Sequence, residues 1–318
     1  MPGILRWLCG VALPASLFLV NTAVAQGTPV GDFQPVIDMH RHAPWPGDSD
    51  SEGLGLIREE LGRHDVVVAM LFVTGRDDLS AYPSDETTQL ILSPMFPCPA
   101  LTASRKWCFT DSAGALPDPD WVEAQLALRT IGGLGELVFN YAGLSPLDPT
   151  VAPFWAMASR HDVPVFVHTG RGPGPGQGPR RYPGCCEAYD AELGNPDLLR
   201  PVLERYPTLR LSLQHVGFEF VDETIALLRD FPNVYLDMSV LNSVGPAPLH
   251  DVSLRRLVDA GFADRIMLGS DDQDLALVIA RIEAARFLTP EQRRGIYYDN
   301  AARFLRLDPA TIARHYRR

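Results

Sequence analysis

The strongest constraint on this chain is a repeated alternation, in which eight short runs of apolar, largely β-branched residues are separated by longer amphipathic stretches. The runs cover residues 35–40, 66–73, 89–95, 133–139, 163–168, 209–215, 233–238 and 265–269. Residues 66–73 are almost continuously apolar, as a strand covered on both faces must be. Helices are expected at 121–130, 150–160, 197–206, 221–229 and 251–260, several of them closing on a short Asp, Asn or Pro turn before the next strand. Such alternation yields a parallel sheet with crossover helices, and eight units of it fit an α/β fold of the (β/α)8 TIM-barrel type. The competing architecture is a doubly wound open sheet. That fold normally carries a glycine-rich phosphate turn after its first strand, where this chain has His40-Arg41-His42.

Two stretches break the rhythm. Residues 96–120 are rich in cysteine and proline, and residues 170–194 contain a run of alternating glycines and prolines. Both read as long loops after strands three and five, on the face where barrel enzymes place their chemistry.

Residues 1–25 read as a secretory signal peptide: Arg6 supplies the positive start, residues 7–20 an apolar stretch interrupted by Pro14, and Ala23-Val24-Ala25 a small-x-small cleavage pattern. The stretch is too short for a stable membrane anchor, since a spanning helix needs about 20 residues. The expectation is an exported protein, periplasmic or secreted, whose residues 26–318 form one barrel domain. In a compartment that permits disulfides, Cys98, Cys108, Cys185 and Cys186 are expected to staple the fold. A bridge between the adjacent pair and two longer bridges to Cys98 and Cys108 are both open. A four-thiolate zinc site fits less well, because adjacent cysteines lack the usual spacer.

Charge narrows the partners. With 28 Lys+Arg against 39 Asp+Glu the net charge is −11, which argues against nucleic acid and leaves a small-molecule substrate as the default; a homo-oligomer is compatible with this composition.

The unusual polar residues fall where strands end. His40 and His42 lie two apart, so in extended backbone both leave one face and can reach one metal ion. Glu136 lies in strand four, His168 ends strand five, His215 ends strand six and Asp271 follows strand eight. Each alone has a plain structural reading; Asp271, for instance, could cap a helix. Four imidazoles and two carboxylates on one rim point to a metal site. His64, His250 and His315 fall in helical or turn contexts and are expected to be solvated.

The set Asp38-Met39-His40-Arg41-His42, Gly135-Glu136, Val167-His168-Thr169, Gln214-His215-Val216-Gly217 and Leu268-Gly269-Ser270-Asp271 resembles the amidohydrolase superfamily, in particular its amidohydrolase-related branch. The stretch Tyr298-Asp299-Asn300-Ala301-Ala302-Arg303-Phe304-Leu305 is similar to that branch's closing helix. The resemblance implies a barrel holding one or two divalent metals, usually zinc, with two preferred here. It assigns His40, His42 and Asp271 to the first ion, His168 and His215 to the second, and Glu136 to the bridge. In one-metal relatives His168 joins the first set and His215 polarises the substrate. Many two-metal members bridge with a carboxylated lysine on strand four. The single lysine here, Lys106, lies in the loop region after strand three, so Glu136 takes that place.

These ligands imply hydrolysis of an amide, lactone or other ester bond by metal-activated water, with Asp271 moving the proton and His215 assisting. Arg41, Arg76, Arg171, Arg180 and Arg181 fall in or near the rim loops and suggest an anionic substrate, with Trp45, Tyr82 and Tyr182 as apolar wall. The alternatives are a one-metal decarboxylase of the same branch, a metal-dependent phosphoesterase, and an exported binding protein that lost catalysis on the same barrel.

Overall fold

The computed structural model describes residues 34–44, 50–74, 79–99, 108, 115–172, 180, 185–240 and 247–317. All eight apolar runs form strands: β1 Val36–His42, β2 Val66–Val73, β3 Gln89–Pro94, β4 Leu134–Leu137, β5 Val165–His168, β6 Leu211–Gln214, β7 Val234–Asp237 and β8 Ile266–Met267. Every residue of β2 is buried, which explains its unbroken apolar sequence. Each fully buried Val, Leu, Met or Phe side chain there contributes about 1.5–3 kcal/mol of transfer free energy.

The strands pair in parallel, in the orders β1-β2-β3 and β4-β5-β6-β7-β8. Backbone hydrogen bonds join the two groups at both seams. On one side the Phe96 N–H donates to the Glu136 carbonyl at 3.1 Å, and the Val138 N–H donates to the Phe96 carbonyl at 2.9 Å. On the other, the Met39 N–H donates to the Leu268 carbonyl at 2.9 Å and the Ser270 N–H to the His40 carbonyl at 3.1 Å. The result is a TIM barrel, with strand one brought beside strand eight. The β1–β2 register slips between Asp38 and Arg41, the kind of irregularity that re-aims side chains next to a site.

Helices follow the strands: α1 Asp50–Arg63, α2 Pro119–Leu128, α3 Phe139–Ala142, α4 Ala152–His161, α5 Arg200–Arg205, α6 Val221–Asp230, α7 Ala247–Asp259, α8 Leu275–Ala284, α9 Pro290–Arg294, α10 Asn300–Leu305 and α11 Pro309–His315. Local chemistry starts several of them. Asp118 and Asp308 cap α2 and α11 with Pro in the first turn, and Thr289 with Gln292 forms a capping box on α9. The cap of α8 is Asp274, which accepts from the Ala276 N–H at 2.8 Å, so the capping reading of Asp271 is not the one realised.

β8 is shorter than its apolar run: past Met267 the Leu268 N–H donates to the Ile296 carbonyl at 2.9 Å, and Gly269 passes close to the site. A Cβ at Gly269 would stand 2.8 Å from the Cβ of His40 and 3.1 Å from that of Asp237. The expected solvation of two histidines is corrected. His250 is buried in α7, and His315 is buried with its Nδ1 2.7 Å from the Tyr298 hydroxyl. The open cysteine pairing resolves into Cys98–Cys108 and the adjacent Cys185–Cys186. The two bridges pack in one small cluster with Met95, Val138 and Tyr141. Residues 1–33 and about half of the two long loops lie outside the described residues. Among the described residues no helix is long and apolar enough to cross a membrane.

Candidate metal centre

Barrel closure gathers the strand-end polar residues that lie far apart in sequence. His40 and His42 leave β1 on one face, as strand alternation requires, and direct their Nε2 atoms at the same two carboxylates. Asp271 Oδ1 lies 3.3 Å from His40 Nε2 and 3.0 Å from His42 Nε2. Glu136 Oε2 lies 3.8 and 3.6 Å from the same two nitrogens. The other oxygen of Glu136 faces the opposite half, with Oε1 2.7 Å from His168 Nδ1 and 3.3 Å from His215 Nε2. His215 Nε2 and His168 Nδ1 are 3.0 Å apart. All six expected residues therefore converge, and three overlapping groups of ligand atoms lie within 4.8 Å of one another: His40, His42 and Glu136; His40, His215 and Asp271; Glu136, His168 and His215.

Backbone geometry sets these positions. His215 follows β6 with φ +62° and Asp271 follows β8 with φ +49°, conformations that side chains with a Cβ adopt at a local cost. Gly135 precedes Glu136 at φ +127°, and a Cβ there would stand 2.3 Å from the Phe166 carbonyl oxygen. Only glycine allows β4 this close to β5.

A second layer of polar residues lies beneath the cluster. Asp237, at the end of β7, holds Oδ2 3.2 Å from His40 Nδ1. Its Oδ1 accepts from the His215 N–H at 3.2 Å, the Ser239 N–H at 2.9 Å and the Ser239 hydroxyl. Asp38 accepts from Ser270 through both backbone N–H, at 3.0 Å, and hydroxyl, at 2.7 Å, which fastens β1 to the turn carrying Asp271. The sequence pattern did not assign Asp237 or Ser239 a role. The one signal it held was an acid ending an otherwise apolar strand, Val234-Tyr235-Leu236-Asp237.

The electrostatics follow from burial and mutual contact. Burial acts to raise the Glu136 carboxyl, but hydrogen bonds from His168 and His215 and the charge of His40 hold it well below the usual carboxylate range. Asp271 is likewise opposed by burial and held well below that range by His40 and His42. Burial depresses His40, yet Asp271 and Asp237 lift it well above its ordinary value. His42 is raised against burial, chiefly by the hydrogen bond with Asp271 and the charge of Asp272. Burial and the neighbouring His215 keep His168 low, with Glu136 opposing.

This donor set suits a divalent cation. It combines imidazole nitrogens with ionised carboxylates in a buried cluster, and the buried His40 Nε2 and His168 Nε2 have no hydrogen-bond partner. A bound cation would satisfy what the protein leaves open at His40.

The expected substrate arginines that are described are engaged with other partners. Arg41 leaves the face opposite to His40 and His42, and its guanidinium donates to Glu60 on α1 at 2.9 Å, with Asp272 at 3.6 Å. Arg171 pairs with Glu192 and lies over the Phe220 ring. Arg180 stacks on Tyr189 with its guanidinium carbon 4.0 Å from the ring centre. Tyr82 is buried in the main apolar core. Arg76, Arg181, Trp45 and Tyr182 lie outside the described residues.

The pattern of the amidohydrolase family matches residues 112–307, a span that holds Glu136, His168, His215 and Asp271. The chain belongs to the amidohydrolase family. As a member it is an enzyme, and its cluster is of the kind with which amidohydrolases bind divalent metal. No curated protein matches the sequence. Among solved structures, the fold is similar to that of an uncharacterised TIM-barrel protein from Bordetella bronchiseptica. That similarity has a TM-score of 0.59 and 18% identity, covering 86% of this chain and 98% of the other. A putative 2-pyrone-4,6-dicarboxylic acid hydrolase from Pseudomonas putida gives a TM-score of 0.57 and 17% identity, covering 86% and 98%. A 5-carboxyvanillate decarboxylase from Sphingomonas paucimobilis gives 0.52 and 14%, covering 87% and 100%. At these identities the likeness speaks for the fold, while the family match carries the chemistry.

Proposed function

We propose that this amidohydrolase is an exported hydrolase that cleaves an amide, lactone or other ester bond of a small molecule, using two divalent ions, most simply zinc. The observation that carries the reading is the division of Glu136, one carboxylate oxygen toward His40 and His42 and the other toward His168 and His215. A carboxylate so placed is suited to bridge two cations. His40, His42 and Asp271 would hold one ion and His168 and His215 the other. When bound, the metal supplies Lewis acidity, polarising the scissile carbonyl and making water a stronger acid.

The protein's own groups do the rest. Asp271 is the member of the cluster most open to solvent, its side chain 20% exposed against 10% or less for the five others. It can therefore reach both an attacking water and a leaving group. Held ionised by His40 and His42, it has a free carboxylate oxygen with which to accept the proton of a water acidified by bound metal and to pass it to the departing oxygen or nitrogen. His215 is held by Ser239 at Nδ1 and by Glu136 at Nε2, and if the second ion is lost a proton taken up at Nε2 would let it donate toward the substrate oxygen. Arg41, Arg171 and Arg180 are already paired or stacked, so nothing on them favours an anionic substrate over a neutral one.

Export rests on residues 1–25 and on two disulfides, which suit an oxidising compartment. The intact mass of protein recovered from outside the cytoplasm tests it, with cleavage after Ala25 expected. Elemental analysis of protein purified without chelator, paired with turnover on lactone, ester and amide panels, tests the chemistry. Two equivalents of metal and metal-restored hydrolysis support it. One equivalent with carbon dioxide release would favour the decarboxylase reading, and no metal with no turnover would sink both.

A further inference from the structure

Ser239 lies outside the metal-ligand set, yet its hydroxyl touches both halves of the cluster. Ser239 Oγ is 3.0 Å from His40 Nδ1 and 2.9 Å from His215 Nδ1. The same oxygen forms a short hydrogen bond with Asp237 Oδ1. Ser239, Asp237 and His40 are all fully shielded from solvent, and His215 is 4% exposed, so water cannot replace these bonds. A hydroxyl carries one proton. Asp237 Oδ1 is a carboxylate oxygen with no proton to give, so that proton goes from Ser239 to Asp237. The lone pairs of Ser239 Oγ are then left as acceptors, and both histidines must present N–H at Nδ1.

Gln214 supports the same assignment. Its Nε2 stands 3.0 Å from His40 Nδ1 while its Oε1 has no hydrogen-bond partner. Exchanging the two ends of that amide places an acceptor against the His40 N–H and relieves the unpaired oxygen. Asp237 Oδ2, 3.2 Å away, is a further acceptor for the same N–H. His40 Nδ1 is thus surrounded by acceptors and His215 Nδ1 faces one.

We infer that Ser239 is a positioning residue that holds a proton at Nδ1 of both His40 and His215, so that in each ring the proton given up to make way for an ion is the one at Nε2, the nitrogen that faces the cluster. The inference rests on the metal-centre reading above and adds a coupling to it. One hydroxyl, itself fixed by Asp237, orients a ligand of each ion, so removing it weakens both sites rather than one.

The test uses the full mature chain. Zinc affinity of each site is measured by competition with a chromophoric chelator for the wild type, Ser239→Ala and Ser239→Thr. Outer partners of metal-bound histidine typically contribute 10–100-fold in affinity, so Ser239→Ala is expected to bind both equivalents at least about tenfold more weakly. Ser239→Thr, which retains the hydroxyl, is expected to recover most of that loss. Wild-type affinity at either site in Ser239→Ala overturns the coupling. In parallel, nitrogen-15 NMR of the histidine rings in wild-type protein, both metal-free at alkaline pH and zinc-loaded, is expected to find Nδ1 protonated in His40 and His215. A ring without a proton at Nδ1 overturns the inference even if the alanine variant fails to fold. If wild-type protein binds no zinc at all, the metal reading falls, while the metal-free spectrum still decides the tautomers.

Discussion

Glu136 and His168 face each other across the β4–β5 seam, with Oε1 2.7 Å from Nδ1 in a buried pair. This contact ties the two halves of the cluster, because the remaining oxygen of Glu136 is directed at His40 and His42. Glu136→Gln keeps the shape and removes the charge and one of the two metal-facing oxygens. It is expected to retain no more than one equivalent of metal and to lose at least about 100-fold in turnover, since even outer partners of metal ligands contribute 10–100-fold. Elemental analysis beside kcat/KM checks it. A variant with full metal content and full turnover would remove Glu136 from the bridge.

Gly135 holds Glu136 in place through a conformation other residues resist. Its φ is +127°, and any Cβ at this position would come within 2.3 Å of the Phe166 carbonyl oxygen, which leaves no room for a side chain. Gly135→Ala is expected to lower stability by at least about 2 kcal/mol, from backbone strain and displacement of β5. Chemical denaturation measures the loss, and metal content is expected to fall with it because Glu136 shifts.

The Cys98–Cys108 bridge closes a short loop, its cysteines 10 residues apart in sequence with Cα atoms 5.5 Å apart. Closing a loop of this size stabilises by roughly 2–3 kcal/mol, mainly by restricting the unfolded chain. Cys98→Ser is expected to lower the unfolding midpoint accordingly. Peptide mapping of unreduced protein is expected to recover Cys98 with Cys108 and Cys185 with Cys186.

His250 gives a pH dependence remote from the cluster. Burial holds its imidazole below the ordinary value, and the hydrogen bond with Asp251 restores only part of the difference. The folded pKa is therefore the lower one, and the unfolded chain takes up the proton first as pH falls. Stability from this residue is full above about pH 6.5 and declines as pH drops through the folded value. Urea midpoints from pH 8 to pH 5 are expected to fall less steeply in His250→Gln than in the wild type. Equal slopes would show that another group controls the acid limb.

Much of the centre was legible in the sequence because strand-end chemistry is local. His40, His42, Glu136, His168, His215 and Asp271 are each recognisable from a short apolar run and the polar residue at or just beyond its end, and all six meet in the fold. Arg41 was misdirected by the same logic. Its nearness to His40 and His42 in sequence suggested the site, but alternation along β1 sends it to Glu60. Solvation of His250 and His315 was misjudged because exposure depends on what packs above a helix, which periodicity does not report.

By itself, then, the sequence determined the eight parallel strands, the long loops after the third and fifth, and which polar residues stand at the rim, since these follow from the two-residue and 3.6-residue periods of the backbone. Tertiary structure alone decided which of them touch. Asp237 meets His40 from 197 positions away, and Ser239 reaches both His40 and His215. No local pattern encodes such contacts, because they exist only once closure of the barrel brings β1 beside β8 and within reach of the end of β7.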